Sequence, residues 1–429
     1  MHPQNELMSH WRKSSIGELC EEGLVELQTG PFGTQLHAHD YVPQGIPVVP
    51  TEALGGRRID HSVLPKITAE KAKTLDRHRL KPEDILFARR GVQATGHIGF
   101  VRKQEEDFLC GTGAIRLRVN DIQPRKVLAE FLSHVFADAA SIAWFKVHAI
   151  GATMPNLNEG IIRSFPLLLP PIEDQRAIAD SLTALDDKIE LNQRMSETLE
   201  AIAHAIFKSH FLQPAPHLGP TTKVGEIAEI IKGRSYKSEE LIETADTALV
   251  TLKSFERGGG YKADGLKGFS GPFRPEQEVK PGEIVIALTD VTQNAEVIGR
   301  PALVRRSAKF SKLVASLDTA IVRPRKIVGS NFLYCLFRTP EFADHTYAYC
   351  SGTTVLHLGK EAIPSFVFPK PEERDASRFE QLVTPMFDRI TNNELENTNL
   401  AATRDALLPK LTSGEIRLRQ TEKTVEARR

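Results

Sequence analysis

The chain has 429 residues, 41% of them hydrophobic and 26% charged, and its 55 Lys and Arg balance 55 Asp and Glu. That length suffices for two or three domains with sizeable cores, and the balanced charge singles out no partner. No run approaches the ~18 apolar residues of a membrane span, and MHPQNELMSHWRK lacks a signal-peptide core, so a cytoplasmic protein that meets no membrane is expected. Cys20, Cys110, Cys335 and Cys350 are widely spaced and form no C-x-x-C pair, which suits free thiols in a reducing compartment.

Residues 1–170 read as a mixed module. Short β runs (IPVV, DILFA, AIRLRV) sit among Gly and Pro turns, followed by the helical VLAEFLSHVFADAASIAWF. Pro170, Pro171, Glu173 and Asp174 then open a long helix over 171–212, since prolines and acids suit a helix N-terminus. Its apolar stripe runs Ile178, Leu182, Leu185, Ile189, Asn192, Ser196, Leu199, Ala203, Ile206. Some 36 residues at ~1.5 Å each make a rod of roughly 54 Å. A Pro/Gly/Thr linker covers 213–223, a second mixed module 224–370, a second long helix 371–412, and a tail 413–429. The second helix carries Pro385, expected to kink or interrupt its first turns.

Charge alternates along this plan. Arg57 to Lys103 holds 12 Lys/Arg against 5 Asp/Glu, and Lys253 to Lys326 holds 14 against 8. Glu173 to Glu200 has 3 against 8, and Glu372 to Asp405 has 4 against 8. Two basic modules separated by acidic helices could meet two stretches of a polyanion.

The alternation reflects an internal repeat. SIGELC (15–20) returns as KVGEIA (223–228). KPEDILFARRGVQATGHIG (81–99) returns as KPGEIVIALTDVTQNAEVIG (280–299), with Pro-x-[Asp/Glu]-Ile kept. SFPLLLP (164–170) returns as SFVFPKP (365–371), a shift of 201. The same shift carries the stripe onto Phe379, Val383, Met386, Ile390 and Asn393, with Leu400 beyond. Two equal halves can close around a pseudo-twofold axis with the long helices antiparallel. Leu185, Ile189, Leu199, Met386, Ile390 and Leu400 then pair the helices, and Asn192 meets Asn393 amide to amide at the centre. A buried polar pair lowers stability but penalises slipped registers.

TGPFGTQLHAHDYVPQGIPVV (29–49), LLLPPIEDQRAIADSL (167–182), IALTDVTQNAEVIGRP (286–301) and LLPKLTSGEIRL (407–418) resemble segments of the DNA-specificity subunit of type I restriction–modification systems. The resemblance spans nearly the whole chain. It implies an α+β fold of two pseudo-symmetric target-recognition domains separated by two long antiparallel helices. It also implies a non-catalytic subunit that reads a bipartite double-stranded DNA target and docks two modification (methyltransferase) subunits and restriction/translocase subunits. S-adenosylmethionine, ATP and Mg2+ would belong to those partners, with no cofactor in this chain.

Other chemistry is poorly supported. GVQATGH (91–97) imitates a phosphate loop but puts His97 where Lys is needed. LPPIE lacks the Asn/Asp-Pro-Pro-aromatic order of an amino-methyltransferase. Asp186 and Asp187 near Lys188 flank the helical stripe with no second acidic strand, and HAHD (37–40) lacks metal-ligand partners. No catalytic residue and no metal site are therefore assigned.

Candidate DNA contacts follow the Pro-x-[Asp/Glu]-Ile strands: Arg89, Arg90, Gln93, Thr95 and His97 in one module, Thr289, Asp290, Thr292, Gln293 and Asn294 in the other. Arg suits guanine, Gln and Asn suit adenine, and Asp accepts from cytosine. Lys309 and Lys312 offer point charges to phosphate. The competing classes are a tandem-repeat scaffold that binds only protein, and a fused enzyme with an unfamiliar site.

Overall fold

The computed structural model describes residues 11–151, 153–212, 219–292, 294–325 and 327–416. Residues 213–218 of the expected linker and 417–429 of the tail lie outside the described residues. The chain forms two compact units, Met1–Asp187 with Leu400–Arg429, and Lys188–Asn399. These units do not follow the linear division into modules and helices. Each combines one mixed module with one stretch of both long helices.

The first unit is built on strands β1 (Val25–Thr29), β2 (Ile85–Ala88), β3 (Ile98–Phe100) and β4 (Ala114–Val119), antiparallel in the order β1-β4-β2-β3. β2 is apolar throughout because both of its faces are covered. Ile85 and Phe87 join Phe131, Phe136 and Phe145 of the helices Ala129–Ala137 and Ala139–His148, whereas Leu86 and Ala88 join Val49, Leu54 and Cys110 on the other face. The second unit repeats the plan with β5 (Ala228–Lys232), β6 (Ile284–Ala287), β7 (Pro301–Leu303) and β8 (Thr319–Pro324), in the order β5-β8-β6-β7. Ile284 and Ile286 face one core, Val285 and Ala287 the other.

The acid of each Pro-x-[Asp/Glu]-Ile motif explains why the motif recurs. Asp84 is fully buried and accepts two 2.7 Å bonds from the Arg118 guanidinium and one from the Lys81 N–H. Glu283 likewise takes Arg323 Nε at 2.7 Å and the Lys280 N–H at 2.8 Å. Each pair bolts the turn before the central strand to its neighbour, and bidentate guanidinium–carboxylate geometry makes it specific.

The long helices are α1 (Ile172–Phe207) and α2 (Glu373–Thr412). Gln175 fastens the start of α1: its amide donates to the carbonyls of Lys126 and Pro170, and its oxygen accepts from the Leu128 N–H. The expected interruption at Pro385 does not occur, since α2 continues through it. Pro385 and Gln381 are exposed, so water can take the carbonyl that the missing N–H leaves free, while Val383, Phe387 and Ile390 bury the opposite face.

In the first unit Ile178, Ala179 and Leu182 share a core with Leu408 and Leu411, and Leu185 and Leu400 are half-buried. In the second unit Leu199, Ala203 and Phe207 pack with Phe379, Val383, Met386 and Ile390, and Ile189 is half-buried. There the helices run antiparallel: Asn397 reaches the Ile189 carbonyl, and Asn393 reaches Ser196.

Asn192 and Asn393 are both buried at this centre, but the amide-to-amide bond expected between them is not formed. Asn192 Nδ2 donates to Glu396 at 2.8 Å and to Asn397 Oδ1 at 2.9 Å. Asn393 Nδ2 donates to Ser196 Oγ at 3.1 Å and to the Asn192 carbonyl at 3.3 Å. Residues 196 and 397 are themselves 201 apart, so the two bonds are pseudo-twofold mates. A side chain on a helix covers the preceding turn, which carries each amide past its mate toward the adjacent polar position.

Asn393 Oδ1 has no partner. Asn393→Leu is therefore expected to raise the melting temperature of the protein by a few degrees, because it removes an unsatisfied acceptor worth about 1–2 kcal/mol and leaves Ser196 bonded to the Asn192 carbonyl. A lower melting temperature in calorimetry would show that the amide is needed for more than register.

Among the described residues no helix is long and apolar enough to cross a membrane, and no cluster of three or more His, Cys, Asp or Glu could hold a metal. In HAHD, Asp40 bonds the His37 N–H and pairs with Lys71 at 3.0 Å.

Candidate DNA interface

In each unit the loop after the central strand is seated on a hairpin from late in the module. Arg89 N–H donates to the Gly113 carbonyl, and the Leu157 N–H donates to the Arg89 carbonyl at 2.9 Å. Arg90 bridges Asn156, which also pairs with Ile150 across the hairpin, and Arg89 Nε donates to Asn156 Oδ1 at 3.0 Å. In the second unit the Leu358 N–H donates to the Leu288 carbonyl at 2.8 Å, and Thr289–Asp290 pairs with the strand Leu356–Leu358, itself paired with Cys350–Ser351.

Two predicted contacts prove to be internal. Thr95 is fully buried and donates to the Gly91 and Pro155 carbonyls. Asp290 is 1% exposed and accepts from the N–H groups of Thr292 (2.6 Å), Val297 (2.6 Å) and Ile298 (3.0 Å). Burial pushes its carboxyl up, and those backbone donors outweigh it and hold the group below its usual range. A carboxylate that accepts from three N–H groups and is closed off from solvent organises the loop. Both positions carry residues chosen for the loop's interior.

Arg90, Gln93 and Asn294 are exposed; Arg89, His97, Thr289 and Thr292 are half-buried. Thr289 donates to Asp318, and Thr292 Oγ1 accepts from the Glu296 N–H. Burial first, and then Lys146, hold His97 below the usual histidine range, so it faces the loop neutral at pH 7. Gln293 lies outside the described residues. Lys309 and Lys312 are exposed but belong elsewhere in the unit: Lys309 Nζ sits 5.1 Å from the Phe310 ring, and Lys312 opens the strand Lys312–Ala315 of a separate four-stranded sheet.

Each module is tied to its helices by an arginine that the sequence pattern did not single out, half-buried in the first unit and buried in the second. Arg57 donates to Asp186 at 2.6 Å and to Ser133 at 2.9 Å, and Arg404 takes the other oxygen of Asp186 at 2.8 Å. In the second unit Arg305, 8% exposed, pairs with Glu394 and lies 3.8 Å from Glu200. Tyr334 donates to Glu200 at 2.7 Å, with His204 and Arg338 each 3.8 Å away. Burial works to raise the Glu200 carboxyl, but His204, Tyr334, Arg338 and Arg305 outweigh it and hold it down at about 2. The local signals were weak: one arginine among many, and acids that read as a solvated helix face.

A family model described as "Type I restriction modification DNA specificity domain" matches residues 8–201. The chain is 26% identical to the type I restriction enzyme HindI specificity subunit of Haemophilus influenzae, covering 79% of this chain and 87% of that protein. It is also 26% identical to the MjaIX specificity subunit of Methanocaldococcus jannaschii, covering 70% and 72%. The crystal structure of a type I restriction–modification S subunit from M. genitalium shares the fold, with a TM-score of 0.54 at 17% identity over 94% of this chain and 96% of that one. Two β-rich modules with paired long helices are the architecture that this chain shares with that S subunit. Residues 8–201 thus carry the DNA specificity domain of type I restriction–modification systems, and the chain is similar to S subunits of such systems over most of its length.

Proposed function

We propose that each unit reads one half of a bipartite duplex target through the loop that follows its central strand. The observation that supports this is the repeated seat: the same backbone bonds hold both loops (Leu157 to Arg89, Leu358 to Leu288), while the outward side chains differ, Arg90 and Gln93 against Asn294. A constant frame with variable tips is what two different half-sites require. Lys309 and Lys312 contribute phosphate contacts. In this proposal the chain assembles with two modification subunits and with restriction/translocase subunits, and those partners hold S-adenosylmethionine, ATP and Mg2+.

The test uses the complex with its modification subunits on a randomised duplex library at two salt concentrations. Arg90→Ala should cost ~1–3 kcal/mol and relax base preference in one half-site only, and Asn294→Ala should do so in the other. Lys309→Ala or Lys312→Ala should weaken all sequences alike and flatten the salt slope by about one unit. If the lysine variants change which bases are preferred and the loop variants do not, the assignment of the loops is wrong.

A further inference from the structure

The reading loops and the hairpins beneath them share a feature that sequence reading of a target does not use. Val92 is 70% exposed and Val291 68%, each the fourth residue beyond the end of its central strand at Ala88 or Ala287. Across from them, each hairpin presents an apolar side chain three residues after a glycine, Met154 after Gly151 at 65% exposed and Val355 after Gly352 at 36%. Apolar side chains held in water at matching places in both modules are surface whose burial by a partner would be favourable.

Gly352 has φ 108° and Gly151 φ 104°, and a Cβ on either would press on the carbonyl of Val355 or Met154 respectively. Only glycine closes this turn. The second hairpin is held at its base by Cys350–Ser351 pairing with His357–Leu358, the first by the Ile150–Asn156 bridge. Neither 146–157 nor 347–358 contains a carboxylate, and the first has Lys146 in it and Arg89 and Arg90 beside it. A carboxylate-free surface of this kind suits a polyanion.

The outward polar residues differ between the two loops, as half-site readers should. The hairpin tips Met154 and Val355 recur at a shift of 201, and Val92 and Val291 at one of 199, so their task is common to both half-sites and independent of base sequence. An enzyme that modifies a base in duplex DNA must first take it out of the stack, and apolar side chains pushed into a base step lower that barrier by unstacking it.

We propose that Met154 and Val355 are wedges that enter the duplex beside each reading loop and open a single base step, so that a base becomes available to the modification subunit. This rests on the assignment of the loops to DNA. The test uses the complex with its modification subunits and a duplex of its selected target carrying 2-aminopurine next to the modified base. The unsubstituted complex should raise the fluorescence in both half-sites. Met154→Ser should abolish most of that rise in the first half-site and Val355→Ser in the other, with methylation at that half-site slowed severalfold and Kd changed less than about threefold. A mismatch opposite the modified base should restore the rate, because a mispaired base needs no wedge, whereas a misfolded module would not be rescued.

If the complex shows no sequence preference, the DNA-reading assignment falls and takes the wedge with it. If preference is intact but both variants keep the full fluorescence rise, or if they lose modification subunits instead, the wedge alone is overturned.

Discussion

Arg305→Leu is expected to destabilise the second unit by roughly 3–5 kcal/mol, the usual penalty for removing one partner of a buried ion pair. The arginine is 8% exposed and faces Glu394 and Glu200, so its loss leaves Glu394 without that partner and leaves Glu200 only Tyr334, His204 and Arg338 to oppose burial. In a urea titration the transition of this unit should move to lower denaturant while that of the first unit stays in place. The double variant Arg305→Leu with Glu200→Gln should recover some of the loss, because it removes the less well opposed charge as well. An unchanged midpoint in the single variant would mean that the cluster contributes nothing to holding module and helix together.

The same cluster sets an acid limit. The folded Glu200 carboxyl lies at about 2, below its ordinary value of 4.5, so its contribution is complete above about 4.5 and is lost as pH falls toward 2. The shift corresponds to up to roughly 3 kcal/mol. Wild-type protein should therefore lose stability through that window more steeply than Glu200→Gln.

Much of the scaffold was legible because it rests on periodicity. A four-residue apolar run such as ILFA or IVIA marks a strand covered on both faces, and the stripe at 178, 182, 203 and at 379, 383, 390 marks helices paired on one side. The register followed from a shift of 201 without any gap. What failed at the centre was side-chain direction: Asn192 and Asn393 are opposite in register, yet their amides reach past each other to Asn397 and Ser196. Pro385 misled for a related reason, since a proline on a solvent face gives up one bond that water replaces. The site was less legible than the frame. Residue type nominated Thr95 and Asp290 for base contact, and only three-dimensional burial shows that they serve the loop itself. Hairpins 60 or more residues downstream of the loops could not be joined to them by pattern, because nothing local encodes the Leu157–Arg89 and Leu358–Leu288 bonds.

Asp290 carries the second large effect. Asp290→Ala leaves the N–H groups of Thr292, Val297 and Ile298 without their acceptor, and two of these, at Val297 and Ile298, belong to buried residues. Charge-assisted bonds to a carboxylate are worth ~1.5–3 kcal/mol each and a buried orphan donor costs about 1–3 kcal/mol, so a loss of at least about 3 kcal/mol is expected even without additivity. The loop between Asp290 and Ile298 then samples open conformations, and amide exchange at Val297 and Ile298 should accelerate more than a hundredfold. Since Asn294 sits in that loop, the proposed reading of its half-site should weaken by two orders of magnitude, and the half-site read through Arg90 and Gln93 should keep its preference. Asp290→Asn should fall between the two, because one amide oxygen still accepts while its NH2 opposes the remaining donors. Fast exchange with base preference intact in both half-sites would separate loop order from DNA reading and place recognition elsewhere in the module.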